Sequence, residues 1–87
     1  MPRSNDLADQ LTRDATSVVP NIAEACGELS GPERARFFRI ARRSATECDA
    51  ILDSLAALGL EPAPSIAHDR AILTPIIAML TSLCRPR

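Results

Sequence analysis

The chain has 87 residues, of which 46% are apolar and only 2% aromatic, and its formal net charge is −1. This length allows one domain with a modest core, because a chain of this size buries only about three-fifths of its unfolded surface. The near-zero charge gives no overall attraction to nucleic acid or to an anionic membrane. A core built from Leu, Ile, Val and Ala favours packing of helix on helix.

The cysteines and the first segment bear on where the protein resides. Cys26, Cys48 and Cys84 are an odd number at wide spacing, which favours reduced core thiols over disulfides or a zinc site. The first ten residues lack the apolar core of a signal peptide. The most apolar run, residues 71–83, is too short to span a bilayer. We therefore expect a cytoplasmic protein that is not bound to a membrane, with one domain over residues 1–87.

The first predicted helix covers about residues 6–26. Asn5 or Asp6 can cap its start, and Gly27 can end it. Pro20 lacks the N–H that would bond to the Thr16 carbonyl, so we expect a kink. One helix is favoured over two because the apolar positions keep their phase across the proline; they are Leu7, Leu11, Ala15, Val18, Ile22 and Ala25.

The second predicted helix covers about residues 31–58. Ser30 and Glu33 form a capping box with Pro32 just inside the start, and Gly59 suits the left-handed residue that closes the last turn. Arg36, Arg39 and Arg43 lie on the side that we expect to face solvent. The expected buried side holds Phe37, Phe38, Ala41, Ser44, Ala45, Cys48, Ile51, Leu52, Leu55 and Leu58.

The third predicted helix covers about residues 65–84, with Ser65 as its N-cap. It carries two neighbouring apolar stripes, so it is apolar almost all round, and such a helix is normally surrounded. Two neighbours in a three-helix monomer leave one side bare, which predicts a subunit interface, most simply with a second copy. The first stripe contains Ile66, Leu73, Ile77, Leu80 and Cys84, and the predicted interface stripe contains Ile72, Ile76, Met79 and Leu83.

Two segments carry a family resemblance. Residues 17–24 read SVVPNIAE, and residues 36–44 read RFFRIARRS, followed by Glu47. These segments resemble the four-helix-bundle family named after the intervening sequences of 23S ribosomal RNA genes, over roughly residues 11–59. The chain departs from the family pattern at Ala25 and Arg43, where glycine is common, and has no counterpart to the usual aromatic-rich first helix.

The resemblance implies an all-α, antiparallel up-down bundle with three helices in this chain, equivalent to a four-helix bundle without its first helix. A groove is then expected where that helix would lie, which adds to the case for association. The family implies a homo-oligomer, often described as a ring of five, and most members have no established activity. Relatives are accessory proteins of diversity-generating retroelements, in which the oligomer binds a reverse transcriptase and nucleic acid through basic surfaces.

The matching motif residues are expected to have structural rather than ligand-binding roles. Asn21 can hydrogen-bond a carbonyl freed by Pro20, and Glu24 can pair with Arg36 or Arg42 across the helix interface. The small side chain of Ser44 allows two helices to approach closely. The full set is Pro20, Asn21, Glu24, Arg42, Ser44 and Glu47.

The apolar third helix and the expected groove favour a non-catalytic, self-associating scaffold or adaptor. The alternative is a nucleic-acid-binding accessory protein, associated with a reverse transcriptase or ribosomal RNA, that uses Arg36, Arg39 and Arg43; a solvated or subunit-pairing role for that stripe is the competing interpretation. His68 has no second histidine or Glu-x-x-His partner, and Cys48 is expected to be buried and inert. We expect no metal, cofactor or small-molecule substrate.

Overall fold

The computed structural model describes residues 4–28 and 30–85, and all regular structure in these residues is helical. Helix α1 spans Ser4–Gly27, α2 spans Gly31–Ala57 and α3 spans Ala63–Leu83. Short connections reverse the chain direction twice, so the helices run up, down and up. Both α1 and α3 pack against α2. The predicted all-α, three-helix architecture is confirmed.

The predicted Ser30 cap, which is one half of the capping box, and the predicted Gly59 turn are both found at the ends of α2. The Ser30 hydroxyl accepts a hydrogen bond of 3.1 Å from the Glu33 backbone N–H. At the other end Gly59 has a φ of +66°, and the Leu60 N–H bonds to the Leu55 carbonyl at 3.0 Å. This pattern is a Schellman motif, which satisfies carbonyls that the end of the helix would leave unpaired.

The predicted caps of α1 and α3 are wrong. Helix α1 already includes Ser4, so Asn5 and Asp6 lie within the helix rather than before its first residue. Helix α3 begins at Ala63 after Pro62, two residues before the predicted Ser65 cap, and no side chain caps it. Proline in a first helical turn has the required φ and lacks only an N–H that would be unpaired there, so Pro64 allows this earlier start.

The prolines inside α1 and α3 do not divide either helix. Pro20 lies within α1 and Pro75 within α3, and each helix continues past its proline as one element. The prediction of one helix rather than two for the first segment is therefore confirmed.

Helix α2 supplies most of the core. Eight of its residues are buried, whereas α3 has only Ile66 and Leu80 in that class. Two of the residues predicted to be buried are not: Leu58 follows the last helical residue and is 37% exposed, and Phe37 is half-buried. The core cluster at the α1–α2–α3 contact contains Val18, Ala25, Phe38, Ala41, Ala45 and Leu80, and a second cluster contains Ile51, Leu52, Leu55 and Ile66.

A groove separates α1 from α3. Within the described residues, no Cα atom of α1 lies within 8 Å of a Cα atom of α3. Leu11 and Ala15 of α1 line one wall, Ile72 and Leu73 of α3 line the other, and Leu52 of α2 forms part of the floor. The three helices therefore occupy three corners of a four-helix bundle.

Candidate interaction site

The predicted interface stripe of α3 is largely exposed in the single chain. Ile72 is 52% exposed, Met79 58% and Leu83 38%, whereas Ile76 is half-buried against the core. Apolar side chains of this size, placed one and two turns apart on one helix, form a contiguous apolar surface rather than isolated exposed residues. The stripe borders the groove, since Ile72 belongs to both.

Helix α3 is also long and apolar enough, by length and composition, to cross a membrane. Its 21 residues include an 18-residue stretch with a mean hydropathy of 1.2, and 11% of that stretch is buried. The apolar run noted in the sequence thus belongs to a helix that is longer than the run itself, and long enough to cross a bilayer. Length and composition alone do not distinguish such a helix from one that packs against other helices. Its Arg70 donates hydrogen bonds to Asp49 and Asp53 of α2, which fixes part of α3 on the bundle.

A strip of polar side chains runs through the contact between α1 and α2. The Ser44 hydroxyl donates to the Ser17 hydroxyl at 3.0 Å, and Asn21 Nδ2 donates to the same hydroxyl at 3.1 Å and to the Ser17 carbonyl at 2.8 Å. The prediction that Asn21 bonds a carbonyl freed by Pro20 is therefore wrong, because that carbonyl belongs to Thr16. The side chain of Asn21 instead completes a three-residue network that joins the two helices.

Two carboxyl groups meet in the same contact. Asp14 is 8% exposed and accepts a hydrogen bond of 3.1 Å from Gln10 Nε2. Glu47 of α2 lies beside Asp14, and hydrogen bonding to the Asp14 carboxyl group, followed by repulsion from its charge, raises the pKa of Glu47 above its ordinary value of 4.5. A hydrogen bond between two carboxyl groups requires one of them to be protonated, so this contact is strongest in acid.

The predicted pairing of Glu24 with Arg36 or Arg42 is wrong. Within residues 4–28 and 30–85, the only acidic partner of Arg36 is Glu33, at 3.2 Å, and Arg42 has none. Glu24 is exposed, because its neighbour Ala25 is the residue that turns toward α2. Arg42 is half-buried beside Ala41.

The arginine stripe lies on the outer side of α2, as predicted. Arg36, Arg39 and Arg43 are all exposed. The Arg36 guanidinium is engaged by Glu33 and lies 4.6 Å from the centre of the Phe37 ring. Arg43 lies near Glu47, where its charge opposes the rise in the pKa of that carboxyl group. Carboxyl groups on the same helix thus offset part of the positive charge of the stripe.

Cys48 and His68 lie in different environments, one buried and the other exposed. Cys48 is buried, and burial, together with the charges of Asp14 and Glu47, raises the pKa of its thiol, which lowers its reactivity. His68 is exposed on the first turns of α3. In the part of the chain that the structure describes, no three His, Cys, Asp or Glu side chains are close enough to hold a metal ion.

The sequence interpretation missed Asp14 and Ser17. With Gln10 and Asn21 they recur at steps of four, three and four, which places four polar residues on the side of α1 that meets α2. This spacing within an otherwise apolar face was the available signal. Only Asn21 was singled out, because it belongs to the family motif.

Comparison with known proteins identifies the family and nothing finer. No curated protein and no solved structure matches the chain. The family model described as 23S rRNA-intervening sequence protein matches residues 2–82, which covers nearly the whole sequence. With its three-helix fold and a match over nearly all of its length, the chain belongs to the 23S rRNA-intervening sequence protein family.

Proposed function

We propose that this protein is a non-catalytic, self-associating helical scaffold or adaptor whose subunit contact runs along α3. The observation that carries the proposal is the exposure of Ile72 and Met79, each more than half accessible on the same side of one helix. Burying apolar surface contributes about 25 cal/mol per Å², so this stripe favours association with a matching surface. A second copy offers such a surface at every encounter.

The test compares acidic substitutions on two sides of α3. The double variant Ile72→Asp, Met79→Asp places charges in the proposed contact and is expected to be monomeric at concentrations at which the unchanged chain associates. The matched control is Ala67→Asp, which is exposed on the solvent-facing side of the same helix and should leave association unchanged. Sedimentation velocity measures the assembly state, and circular dichroism checks that the helices remain.

Two results would contradict the proposal. The first is an unchanged chain that sediments as a monomer at high micromolar concentration. The second is quantitative partition into neutral phospholipid vesicles with a blue-shifted fluorescence of a dye attached at position 79, because α3 would then be buried in lipid rather than against another chain.

The second candidate function is binding of nucleic acid by the arginine stripe, in association with a reverse transcriptase or ribosomal RNA. The exposure of Arg39 and Arg43 supports it. Replacement of Arg36, Arg39 and Arg43 by Gln is expected to weaken RNA binding in a filter assay, and the remaining affinity should depend less steeply on salt. Retention of RNA by the variant with the same salt dependence would remove this candidate.

A further inference from the structure

The start of α2 and the end of α3 lie at the same end of the bundle. Because the two helices are antiparallel neighbours, the first turn of α2 lies beside the last turn of α3. A cavity of about 550 Å³ opens between them. It is separate from the groove between α1 and α3, since the two have no described lining residue in common.

Most of the cavity wall is apolar. Phe38, which belongs to the core cluster, lines the cavity together with Ala35 and Leu83. Phe38 is buried, Ala35 is half-buried and Leu83 is exposed, so the wall extends from the core to the surface. Pockets that bind small molecules have volumes of about 300–1,000 Å³ and mainly apolar walls with a few polar groups. The size and composition of the cavity therefore suit a small organic molecule.

Two arginines carry the charge of this cavity. Arg34 lies in the first turns of α2, and Arg85 follows the end of α3. Among the described lining residues none is acidic, and neither guanidinium group forms an ion pair with a residue that the structure describes. The carboxylate of Glu33 bonds to Arg36 and does not line the cavity. The cavity thus has two positive charges without a counter-charge from these parts of the chain.

The Arg34 guanidinium group is held by the turn that precedes α2. Its Nη2 donates a hydrogen bond of 2.8 Å to the backbone carbonyl oxygen of Glu28. Because this acceptor is a neutral carbonyl, the positive charge is not neutralised, and most of the N–H donors of the guanidinium group remain available. The side chain of Arg85 is exposed. Guanidinium groups bind oxyanions through paired, charge-assisted hydrogen bonds, so both arginines can contact one bound anion.

The helix ends themselves do not account for the positive charge. The backbone N–H groups of Glu33 and Arg34 already bond to the hydroxyl and carbonyl oxygens of Ser30. The positive end of the α2 dipole also lies beside the negative end of the α3 dipole, so the two partial charges oppose each other. The positive character of the cavity therefore depends on the two guanidinium groups.

We propose that this cavity binds a small phosphate monoester with an apolar body, whose phosphate lies between Arg34 and Arg85 and whose body packs against the apolar wall. A phosphate monoester carries about −1.5 to −2 charges at pH 7, which matches two guanidinium groups better than the single charge of a carboxylate does. The backbone of a nucleic acid would meet the same two arginines but would leave the apolar wall in contact with water. A compact ligand is therefore favoured.

The first experiment titrates phenyl phosphate into the isotope-labelled chain and follows the backbone amide signals by NMR. Saturable changes are expected at Gly31, Ala35 and Leu83, which line the cavity. Phenol lacks the phosphate, inorganic phosphate lacks the apolar body and benzoate has a single charge, so each is expected to bind at least about fivefold more weakly. Absence of saturable changes, or equal binding of phenol or of inorganic phosphate, overturns the proposal. Equal binding of benzoate overturns the assignment to a phosphate monoester.

The second experiment removes one positive charge at a time. Arg34→Gln and Arg85→Gln are each expected to weaken binding of phenyl phosphate about fivefold to tenfold, because each removes charge-assisted donors. The matched control is Arg13→Gln, which removes the same charge from an exposed position of α1 that does not line the cavity. It is expected to leave the dissociation constant within about twofold, since salt screens distant exposed charges.

Two results of the charge substitutions would contradict the site. Equal weakening in all three variants would show a response to net charge alone. Weaker binding of RNA by Arg34→Gln and Arg85→Gln, with unchanged binding of phenyl phosphate, would assign the two arginines to nucleic acid instead. Either result overturns the proposal.

The third experiment, Ala35→Leu, changes the apolar wall without changing the charge. The larger side chain occupies part of the cavity, so it is expected to weaken binding of phenyl phosphate at least about fivefold and to leave that of inorganic phosphate unchanged. Leucine is a good helix former and the position is only half-buried, so the fold should be retained, which circular dichroism checks. Unchanged binding of phenyl phosphate by the folded variant overturns the proposal.

The site does not depend on self-association, and its failure can be told apart from that of the proposed function. Leu83 belongs to both the cavity and the predicted interface stripe and is therefore not substituted, whereas Ile72 and Met79 do not line the cavity. The variant Ile72→Asp, Met79→Asp should bind phenyl phosphate as the unchanged chain does, and loss of binding overturns a site within one chain. A monomeric chain that binds phenyl phosphate overturns self-association alone, and an associating chain that does not bind it overturns this proposal alone.

Discussion

Leu80 is the most deeply buried of the described residues of α3. Its truncation should lower the stability of the single chain without acting on the contact between chains. Its side chain is 1% exposed and packs in the core cluster with Val18 and Phe38. Leu80→Ala removes fully buried methyl groups and leaves a cavity, which costs about 2.7–5 kcal/mol in buried sites of this kind. The total stability of an 87-residue chain is about 4–13 kcal/mol. The variant should therefore lose a large share of the stability of the chain.

Urea unfolding at two protein concentrations, a hundredfold apart, measures this cost. For Leu80→Ala the loss of unfolding free energy should be the same at both concentrations, because Leu80 acts within one chain. For the control Ile72→Ala, whose side chain is half exposed, the loss should be small at the low concentration and larger at the high one, since it weakens only the associated state. A loss below about 1 kcal/mol for Leu80→Ala, or equal losses for Ile72→Ala at both concentrations, would refute this reasoning.

Three further predictions concern single sites. The folded chain raises the pKa of Glu47 above 4.5, so the contact with Asp14 stabilises the fold below pH 4.5 and this stability is lost as the pH rises through the raised pKa. Glu47→Gln keeps a hydrogen-bonding group without a second charge. It should therefore raise the melting temperature at pH 7 and leave it unchanged at pH 4. Loss of stability in Glu47→Gln at pH 7 would contradict this. Gly59→Ala should cost about 1–2 kcal/mol in urea unfolding, because φ is +66° there, although nothing lies within 4 Å of the added Cβ; a neutral effect would show that the turn can rearrange. In the folded protein a thiol reagent should modify exposed Cys26 much faster than buried Cys48, whose thiol pKa is raised, and equal rates would show that the core opens readily.

The sequence was most informative where one local signal determines the structure. The Ser30 cap, the Gly59 turn and the apolar periodicity of α2 each act over a few residues, and each is found where it was predicted. The start of α3 was misplaced because two signals competed. Pro64 already has a helical φ, and this backbone preference prevailed over the capping tendency of Ser65.

The contacts between helices were harder to predict, because they depend on the rotation of each helix about its axis. A turn of one residue position moves a side chain by 100°, which is why Glu24 points to solvent while Ala25 is buried. The spacing of Asp14 and Ser17 indicates which side of α1 they share, but it does not show that Ser44 and Glu47 of α2 lie opposite them. The exposed stripe of α3 was predicted because it follows from composition and spacing alone, and does not depend on the rotation of a neighbour.

The central claim is that the apolar surface of α3 is buried between copies of this chain, and the molar mass in solution tests it most directly. Light scattering coupled to size exclusion, at micromolar to millimolar concentration, should give a multiple of the chain mass of 9.4 kDa, with dissociation on dilution. A mass of 9.4 kDa across that whole range, for a folded and helical chain, would contradict the account.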